Sequence, residues 1–163
     1  MEIEKKFTIK NLPEDLDSYP VFHMEQGYLC KGPIVRIRKS NEDYILTYKS
    51  KTALSEKDTQ ARISNEVELP LNKEAYLHLR DKIDGRLVEK DRYKIPLEEG
   101  LIAELDIFHG YLEGLCFVEV EFSSTEQAMA FQAPDWFGED VSLNPHYSNS
   151  YLSTISRWTD IQK

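Results

Sequence analysis

Cysteine is scarce in this chain of 163 residues: there are two, Cys30 and Cys116, each in an apolar segment. Two thiols without a dense disulfide framework are typical of a reduced, cytoplasmic protein, and free cysteine is most often a buried packing residue. No apolar run approaches the ~20 residues that span a bilayer. The residues from Met1 to Lys6 lack the apolar core of a signal peptide. We therefore expect a cytoplasmic protein.

Histidine is also sparse, and its distribution argues against a zinc site. Zinc is held by cysteine and histidine at short, regular spacings. The four histidines show no such spacing, and the two cysteines lie far apart in the chain.

Linker-like segments and internal repeats are absent from the sequence. The seven glycines and seven prolines are scattered, and no low-complexity tract or repeated unit interrupts the chain. Hydrophobic residues make up 40% and charged residues 30%, a balance typical of a globular protein. The sequence therefore predicts one domain over residues 1–163.

Positive charge is in short supply, with 20 Lys and Arg against 29 Asp and Glu and a formal net charge of −9. Nucleic acids and anionic membranes both select for a basic face. We therefore expect neither as a partner. A basic pocket remains compatible with this total, because the placement of the basic residues matters more than their sum.

What the chain does have is strand alternation, in which apolar and polar residues take turns. Eight segments carry it: Glu2–Ile9, about His23–Lys31, Pro33–Lys39, Tyr44–Lys51, a segment ending at Asn65–Leu69, Arg86–Ile95, Leu101–His109 and Leu115–Ser123.

Three helices are predicted between and after these strands. Asn72 is a candidate N-cap for a helix over Lys73–Ile83. Ser123 and Glu126 form a capping-box pattern for a helix that ends near Gln132. The tail from Tyr147 to Trp158 has helical spacing, and residues 133–138 are expected to form a loop.

Charged residues two apart recur on the predicted strands, so that they share one face of the sheet. Seven of the eight strands carry such a set: Glu2, Glu4 and Lys6; Arg36 and Arg38; Lys49 and Lys51; Glu66 and Glu68; Lys90 and Arg92; Glu104 and Asp106; Glu119 and Glu121.

Two interpretations of these charged faces stay open. One Glu-x-Glu pair on a strand is typically a solvated sheet face, and a flat sheet could carry several. Seven sets opposite uniformly apolar faces favour a sheet closed into a barrel, with charges inward and apolar residues outward. Clustered Arg and Lys would then suit a polyphosphate, and clustered carboxylates a hard divalent cation such as Mg²⁺ or Mn²⁺.

The chain resembles the triphosphate tunnel metalloenzymes, also called CYTH domains. The resemblance spans nearly the whole sequence and follows an ordered set of motifs: Glu2-x-Glu4-x-Lys6, Val35-Arg36-Ile37-Arg38, Thr47-Tyr48-Lys49, Glu66-x-Glu68, Lys90-x-Arg92, Val118-Glu119-Val120-Glu121-Phe122, Pro134-x-Trp136 and Tyr147-Ser148-Asn149. It implies an α+β fold: an eight-stranded antiparallel closed β-barrel, or tunnel, with helices packed outside.

By the same resemblance, the tunnel binds a triphosphate with divalent metal. The implied metal ligands are Glu2, Glu4, Glu119 and Glu121. The implied phosphate-binding residues are Lys6, Arg36, Arg38, Lys49, Lys90 and Arg92. Glu66, Glu68, Glu104 and Asp106 would support a second metal, orient the basic residues or position the attacking water. The residues expected to be most directly catalytic are Glu2, Glu4, Lys6, Arg38 and Glu121.

Members of the family differ in substrate, so several functions remain open. We expect a hydrolase that cleaves inorganic tripolyphosphate to diphosphate and phosphate, because a compact chain offers little beyond the tunnel. The alternatives are a class IV-type adenylate cyclase or thiamine triphosphatase, a non-catalytic polyphosphate- or nucleotide-binding module, and a structural β-domain. Trp136 and Trp158 could stack on an organic group, although packing is the commoner role. The partner is a small-molecule triphosphate, and the protein is a monomer or homodimer.

Overall fold

A computed structural model describes residues 1–51 and 60–162. Nine strands form its framework: β1 Glu2–Ile9, β2 Val21–Lys31, β3 Ile34–Ser40, β4 Asp43–Lys51, β5 Arg62–Leu71, β6 Asp84–Pro96, β7 Ile102–Phe108, β8 Cys116–Phe122 and β9 Phe137–Asp140. Three short helices accompany them: α1 Lys73–Arg80, α2 Thr125–Ala130 and α3 Asn149–Leu152. No helix in these ranges is long and apolar enough to cross a membrane.

The first eight strands close into an antiparallel barrel. Their order is β5-β4-β3-β2-β6-β7-β8-β1, and β1 pairs back onto β5 with Ile3 opposite Ile63. β9 lies outside this ring and pairs with the second half of β1. The predicted α+β barrel is therefore confirmed, with a ninth strand that was not predicted.

The main apolar core lies outside the barrel. Outward-facing residues of β1 and β8, among them Ile3, Phe7 and Val120, pack beneath α2 and against Phe137. The Phe7 and Phe137 ring centroids are 5.1 Å apart. The barrel thus buries its apolar outer face under covering segments and leaves its inner face to polar side chains.

A second apolar cluster fills one end of the barrel. Val88, Phe108 and Phe117 stand on the same strand faces as the inward charges, and all three are buried. Tyr147 and Leu152 of the C-terminal segment pack against them. The barrel is therefore closed at this end, which we call the closed end.

The C-terminal segment departs from the predicted long helix. The helix expected over Tyr147–Trp158 is reduced to α3, with short 3-10 turns at Pro145–Tyr147 and Trp158–Gln162. Ser153 Oγ and Thr154 Oγ1 donate to main-chain oxygens three residues earlier, a side-chain bond that competes with helix continuation. The loop expected over 133–138 likewise ends in β9.

The other two helices begin and end close to their predicted bounds. Asn72 caps α1 by accepting from the Ala75 N–H, as predicted, but the helix ends at Arg80. The cap of α2 is Ser124 rather than Ser123, and it accepts from Gln127 N–H. The predicted capping box is therefore displaced by one residue.

Candidate active site

A cavity of about 1230 Å³ occupies the rest of the barrel interior. Strands place their side chains on alternate faces, so alternate residues of each strand point into the barrel interior, and those away from the closed end line this cavity. Twelve of the predicted site residues line this cavity: Glu2, Glu4, Lys6, Arg36, Arg38, Lys49, Glu66, Glu68, Arg92, Glu104, Glu119 and Glu121. The structure thus brings together residues that are distant in the chain.

Two arginines of β3 face the cavity with neutral partners. Arg36 Nη2 donates to Thr47 Oγ1 at 3.2 Å, and Arg38 Nε donates to Gln26 Oε1 at 2.9 Å. The buried Nε of Arg36 has no hydrogen-bond partner among the described residues. Burial, with the nearby charges of Arg36 and Arg92, lowers the pKa of Arg38 to about 9. This arginine wall, Arg36 and Arg38, therefore carries positive charge that forms no ion pair within the described part of the chain.

Carboxylates crowd together on β1 and its neighbours. Burial and the charge of Glu119 raise the pKa of Glu4 to about 8. Burial and a hydrogen bond with Glu66 raise the pKa of Glu2. Glu121 also lines the cavity, although its side chain remains exposed to solvent. Partial burial, with the charge of Glu2, raises the pKa of Glu121. These groups are short of positive charge, the opposite condition to that of the arginine wall.

Lys49 places its ammonium among three of these carboxylates. Its Nζ lies 2.6 Å from Glu2 Oε1, 3.6 Å from Glu66 Oε2 and 3.9 Å from Glu4 Oε1. Burial alone would lower the pKa of Lys49, but the charges of Glu4 and Glu2 raise it above its usual value. The ammonium is a cation held by the carboxylates that were expected to bind metal.

Lys6 ties β1 to the C-terminal segment. Its Nζ donates to the Tyr147 carbonyl oxygen at 2.6 Å, lies 3.6 Å from Glu119 Oε1 and sits 4.3 Å above the Phe117 ring. Burial alone would raise the pKa of Glu119, but the charges of Lys6 and Arg92 hold it well below its usual range. Lys6 therefore lies at the boundary between the cavity and the closed end.

Lys90 and Asp106 lie behind the cavity wall and do not line the cavity, which departs from the sequence expectation. Both side chains are fully buried, and Lys90 Nζ donates to Asp106 Oδ2 at 2.8 Å and to Asn149 Oδ1 at 3.2 Å. Arg92 donates to both Asp106 oxygens, at 2.8 and 2.9 Å. Burial lowers the pKa of Lys90 to about 7. Burial alone would raise the pKa of Asp106, but Arg92 and Lys90 lower it.

The site also contains residues that the sequence did not single out. Gln26 is fully buried on β2, where its Oε1 accepts from Arg38 and its Nε2 donates to the Tyr28 hydroxyl at 3.1 Å. Arg62 lines the cavity as well, beside Asn149 of the Tyr147-Ser148-Asn149 motif. The sequence signal for Gln26 was the strand alternation of β2, on a face without charged residues. This signal does not distinguish a site residue from a packing residue.

The two tryptophans lie outside the cavity and pack against the protein. The Trp136 ring meets Phe137 edge-on at a centroid distance of 4.6 Å, and Trp158 lies against Gly114. Neither residue is in position to stack on a bound substrate.

The donor chemistry of the cavity fits a hard divalent cation. Glu2, Glu4, Glu119 and Glu121 offer oxygen ligands, which Mg²⁺ and Mn²⁺ prefer. Among the described residues, no three His, Cys, Asp or Glu side chains already converge on one metal position. Glu2 and Glu4, with Glu66, instead close on Lys49, so metal binding by Glu2 and Glu4 would require these side chains to rearrange.

Comparison with known proteins identifies relatives along nearly the full length, although no protein-family model matches the chain. An inorganic triphosphatase of Nitrosomonas europaea is 36% identical over 156 residues, which cover 93% of this chain and 96% of that protein. An inorganic triphosphatase of Acetivibrio thermocellus is 35% identical over 154 residues, which cover 93% and 92%.

Solved structures share the fold. A crystal structure of an inorganic triphosphatase superposes with a TM-score of 0.69 at 33% identity, covering 96% of this chain and 97% of that one. A protein from Hippeastrum, reported to have a dominant triphosphatase activity, superposes with a TM-score of 0.57 at 19% identity, over 78% and 82%. The second likeness is one of fold alone. With curated relatives above one third identity and a closed tunnel lined by the expected motifs, the chain belongs to the triphosphate tunnel metalloenzyme, or CYTH, family.

Proposed function

We propose that this protein hydrolyses inorganic tripolyphosphate to diphosphate and phosphate with the help of a divalent metal ion. The observation that carries the proposal is the arginine wall. Arg36 and Arg38 point into the cavity, and their hydrogen-bond partners among the described residues are all neutral. They share this cavity with a cluster of carboxylates. Such a cavity suits a ligand that presents anionic oxygens on one side and binds a cation on the other.

The arginine wall favours a polyphosphate over a single small anion. Residues two apart on a strand stand about 7 Å apart, so the two guanidinium groups repel by about 2 kcal/mol at an effective dielectric near 20. A chain of phosphates carries negative charge over a comparable length and can bind both groups in bidentate fashion. Binding then relieves repulsion that the protein does not relieve by itself.

The carboxylates supply the second half of the site. Glu2 and Glu4, with Glu119 and Glu121, would hold the metal ion, whose positive charge would stabilise the negative charge that develops on the transferred phosphoryl group. Lys6 and Arg92 border the same cavity and would hold further phosphate oxygens. Lys90 and Asp106 would act from behind the wall by fixing the orientation of Arg92.

The reaction is a phosphoryl transfer to water. The water oxygen forms a bond to a terminal phosphorus, the bond from that phosphorus to the bridging oxygen breaks, and diphosphate leaves with the electron pair. The attacking water loses a proton, which passes to the leaving diphosphate or to solvent. The names of both curated relatives support tripolyphosphate as the substrate.

The test is phosphate release from tripolyphosphate with Mg²⁺ or Mn²⁺ present and with the metal removed by a chelator. We expect metal-dependent release that is lost in Glu4→Gln and Arg38→Ala, while both variants stay folded. Lys39→Ala is the matched control, because Lys39 follows Arg38 on β3 and points to the other face of the strand. Parallel assays with ATP and thiamine triphosphate, with product analysis, distinguish a cyclase or thiamine triphosphatase. Survival of all three triphosphates would contradict the proposal.

A further inference from the structure

Lys49 holds a position that a metal ion would also need. Its ammonium lies within 4 Å of carboxylate oxygens of Glu2, Glu4 and Glu66. Two of these, Glu2 and Glu4, are expected metal ligands. A carboxylate oxygen engaged with the ammonium at 2.6 Å cannot at the same time give its full ligand strength to a metal ion.

We propose that Lys49 is a tethered counter-ion that a divalent metal ion displaces from Glu2, Glu4 and Glu66, and that displacement turns its ammonium toward the phosphates bound by the arginine wall. The proposal rests on the proposed function in taking Glu2 and Glu4 as metal ligands. It adds that metal and lysine compete for them.

The position of Lys49 in the sheet allows both placements. Across the β4–β5 ladder it lies opposite Glu66, on the acidic side. Two residues earlier on the same face, Thr47 lies opposite Arg36 across the β3–β4 ladder. The lysine therefore stands between the carboxylates and the arginine wall, and its flexible four-carbon stem can carry the ammonium to either side.

Charge decides which cation the carboxylates prefer. Glu2 is paired with Glu66 and Glu4 with Glu119, so carboxyl groups face each other across the acidic side. One ammonium cannot neutralise this arrangement, whereas a divalent ion brings twice the charge and takes several oxygen ligands at once. The released ammonium finds new anionic partners when a triphosphate is bound.

Competition of this kind couples the two ligands. Lys49 weakens metal binding to the free protein, because the metal must first displace it. A bound triphosphate that attracts Lys49 removes this competition, and by linkage the metal favours triphosphate binding to the same degree. The built-in lysine thus neutralises part of the carboxylate charge until metal and substrate are both present.

The first test is calorimetric titration of Mn²⁺ into the metal-free full-length protein without substrate. We expect Lys49→Met to bind Mn²⁺ at least about 10-fold more tightly than the unmodified protein, or about 1.4 kcal/mol. Lys51→Met is the matched control, because it removes the same charge from the same face of β4, where Lys51 is exposed. Equal tightening in both variants would mean a general effect of net charge, and it would overturn the proposal, as would no tightening at all.

The thermal stability of Lys49→Met gives a second readout, because Glu2, Glu4 and Glu66 lose their counter-ion in this variant. We expect a lower melting temperature than that of the unmodified protein in chelator, and a recovery to at least the unmodified value with Mn²⁺. If the variant folds only with Mn²⁺ present, that also supports the exchange. Failure of Mn²⁺ to restore stability contradicts it.

The displacement itself can be observed by NMR with ¹³C-labelled lysine, in which the Lys49 Cε resonance is assigned from its absence in Lys49→Met. Addition of diamagnetic Mg²⁺ should shift this resonance and leave that of Lys51 in place. An unmoved Lys49 resonance at saturating Mg²⁺ would overturn the proposal. Calorimetry, melting temperature and NMR do not require turnover. Failure of phosphate release would therefore contradict the proposed hydrolysis, whereas the competition between Lys49 and the metal ion is measured independently of it.

Discussion

The two ends of the barrel interior use the same types of charged residue under opposite conditions. At the closed end, Lys90 donates to the buried carboxylate of Asp106, which also accepts from Arg92 at the cavity wall, with donor–acceptor distances of 2.8 and 2.9 Å. In the cavity, the hydrogen-bond partners of Arg36 and Arg38 within residues 1–51 and 60–162 are all neutral. The ion-paired charges of Lys90 and Asp106 stabilise the fold. The charges of Arg36 and Arg38, which have neutral partners among the described residues, are available to bind a ligand. Changes at the two ends should therefore affect different properties.

The largest effect is expected from Asp106→Asn at the closed end. It leaves Lys90 and Arg92 buried without their carboxylate, and removing one partner of a buried ion pair costs about 3–5 kcal/mol. Urea denaturation at pH 7 would measure the loss in the free energy of unfolding. The exposed Asp17→Asn is the control and should stay within about 0.5 kcal/mol. A loss below about 1 kcal/mol would show that the ion pairs do not stabilise the closed end.

The next effect is expected in the cavity from Arg36→Met, and it should appear in activity rather than in stability. Loss of an electrostatic contact to the reacting group lowers kcat/KM by roughly 100-fold or more. The free energy of unfolding should be unchanged or higher, because the variant removes a buried charge that has no ion-pair partner among the described residues. Kinetics with tripolyphosphate measure the expected loss of kcat/KM, and a urea titration measures the free energy of unfolding. Loss of stability with full activity would reverse the comparison between the two ends.

A smaller effect is expected when the cavity is made to resemble the closed end. Gln26→Glu gives Arg38 a carboxylate partner in place of the amide oxygen at 2.9 Å. We expect the melting temperature to rise and KM for tripolyphosphate to increase roughly 10-fold, since the new charge competes with phosphate for Arg38. Gln132→Glu, on the exposed surface, is the control. A lower melting temperature with unchanged KM would refute the idea that neutral partners keep the arginines available.

The most gradual effect is a pH dependence of stability from Glu4, because it is spread over several pH units. Burial and Glu119 raise its pKa to about 8 from 4.5, so the folded chain keeps a proton that the unfolded chain releases. Raising the pH from 4.5 toward 8 therefore lowers stability, by at most about 1.4 kcal/mol per pH unit. Denaturation in chelator at several pH values should show Glu4→Gln gaining stability relative to the unmodified protein as the pH rises. A difference that is constant across this range would exclude the raised pKa.

Much of the barrel could be predicted because strand alternation is a local property. The charged faces of β1, β3 and β8 were visible as residues two apart, and their convergence followed once the sheet was taken as closed. The bounds of the C-terminal segment could not be predicted in the same way. Its helical spacing was real, but the bonds of Ser153 and Thr154 to the main chain limit it to one short helix.

The role of Gln26 shows a second limit. A neutral residue on an otherwise ordinary strand has no distinguishing pattern, and its importance comes from Arg38, which reaches it across the β2–β3 ladder. The placement of Lys90 behind the wall was hidden for a similar reason. Its spacing relative to Arg92 matches a cavity-facing pair, and only the aromatic residues around it show that this part of the interior is filled.

The sequence by itself determined the alternation of charged and apolar residues, and with it one ionic and one apolar face on each strand, because side-chain direction in a strand follows from backbone geometry alone. The tertiary structure alone decided which charges neutralise one another and which face the cavity. That choice depends on strand register and on a C-terminal segment that closes one end, and both bring together residues far apart in the chain.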